Sequence, residues 1–293
     1  MIPIDLEILS PRTLNEALEL KEQYRSDSLL IAGGTDVLVQ IRKGSLQPPR
    51  LLNILNLRRE LGAIKEEPDE IHVGALATIS EIESSPLIQT YAPTLSCGAA
   101  FLGSPQIRNW ATIGGNVCNA SPAGDTITPL FVHEAEAVII SKGRTRSIPI
   151  HELFAGPLEI AIDPHEIVSH FQIPKETQFK WFLQRLSQRK ALALNKVSVA
   201  GVLWLDGPKV REPRLAFSAV SPVVRRASKT ENFLQDQELN RPSIEKAAKI
   251  ICSEVEPITD LRSTKEYRRS MTGQLLKKGL RELQQKMKEE QFV

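Results

Sequence analysis

Two glycine-rich segments, Ala32-Gly33-Gly34-Thr35-Asp36 and Thr112-Ile113-Gly114-Gly115-Asn116, constrain this chain more than any other feature. Each follows an apolar run, and the second leads into Cys118-Asn119-Ala120-Ser121-Pro122-Ala123-Gly124-Asp125. Glycine removes the side chain where a ligand or another backbone must come close, and successive turn amides form anion-binding nests. Two such turns can bring backbone N–H groups to one pyrophosphate, which points to a dinucleotide cofactor. Thr35 supplies a hydroxyl for a phosphate oxygen, and Gly114-Gly115-Asn116 with Thr112 can form a like cradle from a second strand–loop junction. Asp125, an acceptor only when ionised, suits the donors of ribose or adenine.

Taken singly, a Gly-Gly pair is more often a plain turn than a phosphate site. Spacing also removes the familiar alternatives. No Gly-x-Gly-x-x-Gly follows a strand and no Gly-x-x-x-x-Gly-Lys-[Ser/Thr] occurs, so neither a Rossmann site nor a P-loop is supported.

Composition narrows the class. A length of 293 residues suggests about two domains, and 41% hydrophobic with 25% charged residues is enough for a globular core. A net charge of +2 does not carry the concentrated basic surface of a nucleic-acid binder. The stretch Met1 to Glu7 lacks the basic start and apolar h-region of a signal peptide, and no apolar run approaches the roughly 20 residues that span a bilayer. Cys97, Cys118 and Cys252 form neither a disulfide framework nor a Cys-x-x-Cys pair, which reads as a reducing cytoplasm. No His-x-x-x-His pair is present, and no metal ligand set is expected.

Periodicity predicts a helix over Thr13 to Tyr24, a buried strand over Ser28 to Ala32, a short helix from Val37 and a strand over Leu51 to Ile54. Strands are predicted at 71–75, 137–140, 146–150 and 167–171, with helices beginning at Thr78 and Pro93 and a turn at Phe154-Ala155-Gly156-Pro157. Pro174 to Gln178 reads as the domain boundary. Beyond it, Val199 to Leu205 and Arg214 to Val220 form a hairpin around Asp206-Gly207-Pro208. Ile244 to Ser253 is amphipathic, whereas Thr264 to Met287 is rich in Lys, Arg and Glu and reads as a solvated helix.

The two glycine segments together resemble the FAD-binding motifs of the flavoprotein (medium) subunit of molybdenum hydroxylases, the family of bacterial xanthine dehydrogenases and carbon monoxide dehydrogenase. The resemblance is carried by Leu30 to Asp36, Gly103-Ser104-Pro105-Gln106-Ile107-Arg108-Asn109, Ala111 to Asn116 and Asn119 to Asp125. It continues through Phe154 to Pro157, Gln188-Arg189-Lys190-Ala191-Leu192-Ala193, Arg214-Leu215-Ala216-Phe217 and Glu266-Tyr267-Arg268-Arg269, covering nearly the whole chain. Bacterial xanthine dehydrogenase flavin subunits are the nearest type.

The resemblance implies an α+β chain. Residues 1–176 would form an FAD-binding unit of the vanillyl-alcohol-oxidase-like (PCMH) type with subdomains 1–57 and 58–176, and residues 177–293 a C-terminal domain with a small antiparallel sheet and helices. It implies cofactor contacts at Leu29, Leu30, Ile31, Ala32, Gly33, Gly34, Thr35, Asp36, Leu102, Ile107, Ala111, Thr112, Gly114, Gly115, Asn116, Asp125, Val168 and Lys180. It further implies electrons arriving from a [2Fe–2S] small subunit served by a molybdopterin large subunit, and leaving to NAD or another acceptor.

Two readings of Lys180 stand side by side: a charge stabilising reduced flavin, or a surface lysine on a linker. Arg189-Lys190 is read as an exposed basic turn in preference to a pair near the cleft between domains, Cys118 as a small buried residue, and Trp110, Trp181 and Trp204 as packing residues. His133, His151, His165 and His170 have no catalytic pairing and are read as structural. No catalytic acid or base is expected, because flavin itself carries the chemistry. The other functional readings are a free-standing FAD oxidoreductase and a non-catalytic scaffold that has lost FAD.

Overall fold

The computed structural model describes residues 6–189 and 192–290. Its first unit grows from short apolar strands separated by a capped helix. Strands β1 (Glu7–Leu9), β2 (Ser28–Ile31) and β3 (Arg50–Asn53) form a parallel sheet in the order β1-β3-β2. The helix Leu14–Tyr24 connects the first two, and the Thr13 hydroxyl caps it by accepting from the Glu16 amide at 3.2 Å. A second helix, Val37–Lys43, follows the first glycine segment and stops at Gly44 in the left-handed region.

The next sheet is antiparallel, ordered β4-β5-β10-β6-β7. Its strands are β4 (Ile64–Glu66), β5 (Glu70–Gly74), β6 (Glu136–Ser141), β7 (Arg144–Pro149) and β10 (Ile167–Pro174). Six short helices between 79 and 132 pack on it, around Ile79, Leu95, Ile113 and Phe131. The turn expected at 154–157 is part of a small hairpin of β8 (Phe154–Gly156) and β9 (Glu159–Ile160).

The last sheet contains β11 (Phe179–Ser187), β12 (Asn195–Asp206), β13 (Lys209–Ser218) and β14 (Arg225–Arg226). The expected hairpin is there, longer than predicted and closed at Gly207. Alternation along β11 sends side chains two ways. Phe179, Trp181 and Leu183 join the core of the preceding unit, while Phe182 joins the C-terminal core with Leu280 and Ile251. Helices Ser228–Leu234, Arg241–Glu254 and Lys265–Glu290 cover that second face.

The helix read as solvated is not so all round. Lys265–Glu290 buries Arg268, Thr272, Leu275, Leu276, Leu280 and Leu283. Its many charges dilute the amphipathic signal, because long Lys and Glu side chains flank a narrow leucine stripe. Of the three tryptophans, Trp181 and Trp204 pack against the core, but Trp110 is 58% exposed and does not. Among the described residues no helix is long and apolar enough to cross a membrane.

Candidate functional site

Both glycine segments reach one cleft of about 820 Å³, within the range of roughly 300–1,000 Å³ typical of ligand pockets. From β2 and its following turn come Leu29, Leu30, Ala32, Gly33, Gly34, Thr35 and Asp36. From the turn at Trp110 and the helix Ile113–Cys118 come Ala111, Thr112, Gly114, Gly115 and Asn116. Leu102, Ile107, Asp125 and Val168 complete the predicted part of the wall.

Two predicted residues are not in that wall. Ile31 is 9% exposed and packs beneath the strand with Ile41 and Leu51. Lys180 lies on β11 opposite Leu203, and alternation puts it on the Phe182 side of the sheet, facing the C-terminal helices. The same alternation delivers Arg185 to the cleft side. Of the Arg189-Lys190 pair, Arg189 is exposed and donates to the Leu192 carbonyl, while Lys190 lies outside the described residues.

The two glycine segments differ in what they offer. Among the described residues, the amides of Gly33, Gly34, Thr35 and Asp36 donate to no protein acceptor. Gly34 takes φ +68°, a left-handed turn that glycine adopts without strain. Four unspent amides beside a cleft are suited to an anion. In the second segment the amides are spent. Ile113 donates to Ala77 at 3.0 Å, Gly114 to Ala75 at 2.8 Å, Gly115 to the Thr112 hydroxyl at 3.1 Å, and Asn116 to the Thr112 carbonyl at 3.0 Å. Packing against Ala75 and Ala77 and the cap at Thr112 consume these donors, so the segment contributes room rather than an amide cradle. A β-carbon on Gly114 would strike the Ala75 carbonyl at 2.7 Å, whereas one on Gly115 meets only Thr112 Oγ1 and otherwise enters the cleft.

Asp125 carries the electrostatics of the site. Its Oδ1 accepts from Asn195 Nδ2 at 2.7 Å and faces Arg185 Nη1 at 3.6 Å. Burial pushes its carboxyl up to about 6, against the opposing pull of Arg185 and the Asn195 hydrogen bond. Arg185 and Asn195 belong to β11 and β12, so the C-terminal sheet completes this part of the site. Sequence reading missed both, and the available signal was an arginine on the odd-numbered, core-facing register of a strand.

Further wall residues were not foreseen. Lys21, from the helix Leu14–Tyr24, donates to the carbonyls of Arg25 and Ser28 at 2.9 and 2.7 Å, and burial lowers its ammonium to about 8. Glu166 is 3% exposed and bidentate with Arg146 at 2.8 and 2.7 Å, a pairing that holds its carboxyl below the usual value. Cys118 is also in the wall, and burial pushes its thiol up to about 12, which keeps it protonated and inert.

Comparison with known proteins covers both halves of the chain. Residues 4–176 match the family described as the FAD binding domain in molybdopterin dehydrogenase, and residues 183–283 match the CO dehydrogenase flavoprotein C-terminal domain. The chain is 28% identical over 277 residues to a xanthine dehydrogenase FAD-binding subunit of Escherichia coli O157:H7, covering 92% of this chain and 93% of the relative. It is 33% identical over 207 residues to a nicotinate dehydrogenase FAD-subunit of Eubacterium barkeri, covering 69% and 70%. A solved structure of carbon monoxide dehydrogenase from Hydrogenophaga pseudoflava superposes with a TM-score of 0.92 at 28% identity, covering 96% of this chain and 98% of that one.

Proposed function

Because this chain belongs to the family of FAD-binding domains of molybdopterin dehydrogenases, we propose that it is the electron-transfer flavoprotein subunit of a xanthine dehydrogenase-like molybdenum hydroxylase. Electrons come from [2Fe–2S] clusters on a partner chain, which takes them from a molybdopterin chain, and leave to NAD or another acceptor. Residues 1–176 hold FAD, as subdomains 1–57 and 58–176, and residues 177–293 close over it. The location is cytoplasmic, in keeping with three free thiols.

One observation carries this reading: a single cleft walled by both glycine segments, with the amides of Gly33 to Asp36 unspent beside it. Those donors, the open position at Gly115 and the acceptor Asp125 fit a dinucleotide. Gly33, Gly34, Thr35 and Asp36 would receive the pyrophosphate charge through N–H groups, as a nest does. Apolar Leu29, Leu30, Leu102, Ile107 and Val168 would exclude water from the rings. FAD supplies the hydride and one-electron chemistry when bound. The three cysteines of these 293 residues are too few for a four-thiolate cluster.

The test is an absorption spectrum of the purified chain, then denaturation and identification of the released cofactor. Flavin bands with FAD released are expected, followed by co-purification with the iron–sulfur and molybdopterin chains. A colourless chain that takes up no added FAD removes the reading.

A further inference from the structure

We propose that Arg185 and Asn195 are positioning residues for the nucleotide, reaching from the C-terminal sheet to hold the Asp125 carboxylate ionised and turned to accept a hydrogen bond from bound FAD. The inference rests on the FAD reading above and adds a role for two residues outside both glycine segments.

The argument begins with how Arg185 uses its donors. Two other arginines close on carboxylates with both arms: half-buried Arg146 is bidentate on Glu166, and buried Arg214 on Glu176 at 2.6 and 2.9 Å. Arg185 does not. Its side chain is 8% exposed, yet Nη1 donates to the Phe101 carbonyl at 3.0 Å and Nη2 to the Ala193 carbonyl at 2.6 Å. Its guanidinium also lies 4.9 Å from the Phe101 ring centre. The arginine is anchored by backbone and aromatic contacts, and it serves Asp125 as a fixed charge at 3.6 Å.

Asn195 fixes the carboxylate's rotation. The residue is 1% exposed, and its amide donates to Oδ1 of Asp125. Among the described residues, Oδ2 of Asp125 receives no protein donor, although Asp125 is part of the cleft wall. A carboxylate offers acceptor sites alone, so its free oxygen selects a donor. FAD carries such donors as ribityl and ribose hydroxyls, a ring N–H and the adenine amine. The charged side chain facing Asp125 is Arg185 on β11. On the packed helix Pro93–Phe101, the titratable group is Cys97, which also feels Arg185 and has its thiol raised by burial.

The experiment is FAD titration of the full apo chain by flavin fluorescence from pH 5 to 9, with wild type, Arg185→Gln, Arg185→Lys and Asp125→Asn. Wild-type Kd should rise tenfold per pH unit below the Asp125 break, because each unit is a factor of ten in ionised fraction. Arg185→Gln should move that break upward by about one pH unit or more, with affinity recovering at high pH. Arg185→Lys should keep the break near the wild-type position. A Kd for Arg185→Gln that matches wild type, or that is weaker by the same factor at every pH, overturns the inference while FAD binding stands. If Arg185→Gln fails to fold, Asp125→Asn decides: its Kd should lose the break, and a retained break overturns the inference. Wild-type chain that binds no FAD at any pH overturns both readings.

Discussion

The backbone of Gly33 runs directly against the carbonyl of Trp110. A β-carbon on Gly33 would lie 1.8 Å from that oxygen and 2.5 Å from its carbon. The first glycine of the chain's most telling motif is thus required by the other motif's approach, not by a ligand. The contact closes the two walls of the cleft on each other.

Gly33→Ala should therefore act on the fold and Gly115→Ala on the ligand. The first must push the walls apart, at a cost of roughly 1–3 kcal/mol typical of overpacking, and should lower the melting temperature with or without FAD. The second adds a methyl group that meets Thr112 Oγ1 at 3.0 Å and otherwise projects into the cleft. Its apo stability should change by less than about 1 kcal/mol, while FAD affinity falls about tenfold or more. Thermal melts paired with flavin titration separate the two; a Gly33→Ala protein as stable as wild type contradicts the close approach.

Asp125 trades stability for binding. Its carboxyl stands at about 6 in the fold against an ordinary 3.8, because burial outweighs Arg185 and Asn195. The folded state thus holds this proton more tightly than the unfolded chain. Above about pH 6 the ionised group destabilises the apo fold, and the penalty disappears as pH falls toward 3.8. Asp125→Asn should stabilise the apo chain at pH 7 by up to about 3 kcal/mol and weaken FAD binding. Urea denaturation at pH 7 measures the first effect, and an unchanged or lower midpoint would refute it.

His133 works in the opposite sense. Burial, helped by the charge of Arg214, pushes its imidazole down to about 3, and its Nε2 has no partner among the described residues. The unfolded chain takes up this proton near 6.5 and the folded chain does not. Stability is therefore lost as pH falls from 6.5 toward 3, by about 1.4 kcal/mol per unit. Between pH 6 and 3.8 this slope and that of Asp125 oppose each other. His133→Phe should flatten the acid limb relative to wild type in denaturation measured across pH 4 to 6.5. An identical acid slope in the variant would show that His133 does not hold its neutral form in the fold.

Arg214 joins the two halves of the chain. Its side chain, 8% exposed, binds Glu176 through both amino groups, faces Glu134 at 3.4 Å and lies 4.5 Å over the Trp204 ring. Its carboxylate partners reach solvent, Glu176 being 29% and Glu134 51% exposed, so removing the arginine forfeits hydrogen bonds between charged groups, roughly 1.5–3 kcal/mol. Arg214→Ala should lose about that much, and Arg214→Lys should recover only part, since an ammonium cannot make the bidentate fork. Chemical denaturation followed by tryptophan emission checks both. Full rescue by lysine would reduce the role of Arg214 to charge alone.

Local chemistry decides what depends on neighbours in the chain. The capped helix after Thr13, the stop at Gly44 and the turn at Gly207 follow from side-chain hydrogen bonds and glycine's backbone freedom, and the sequence determined them unaided. It also determined both glycine segments, because turn residues are written over a few positions, and their resemblance to a known family implied the α+β class. What only the tertiary structure decided depends on pairings between distant residues. The amides of Ile113 and Gly114 are spent on the Ala77 and Ala75 carbonyls, which no local pattern reveals. Lys180 turns from the cleft and Arg185 toward it because β11 is sandwiched between two cores, and strand parity is fixed by what lies on each face. Asp125 gains its raised proton affinity from burial, against the pull of Arg185 and Asn195 on distant strands, and both burial and fixed charge are properties of the packed chain.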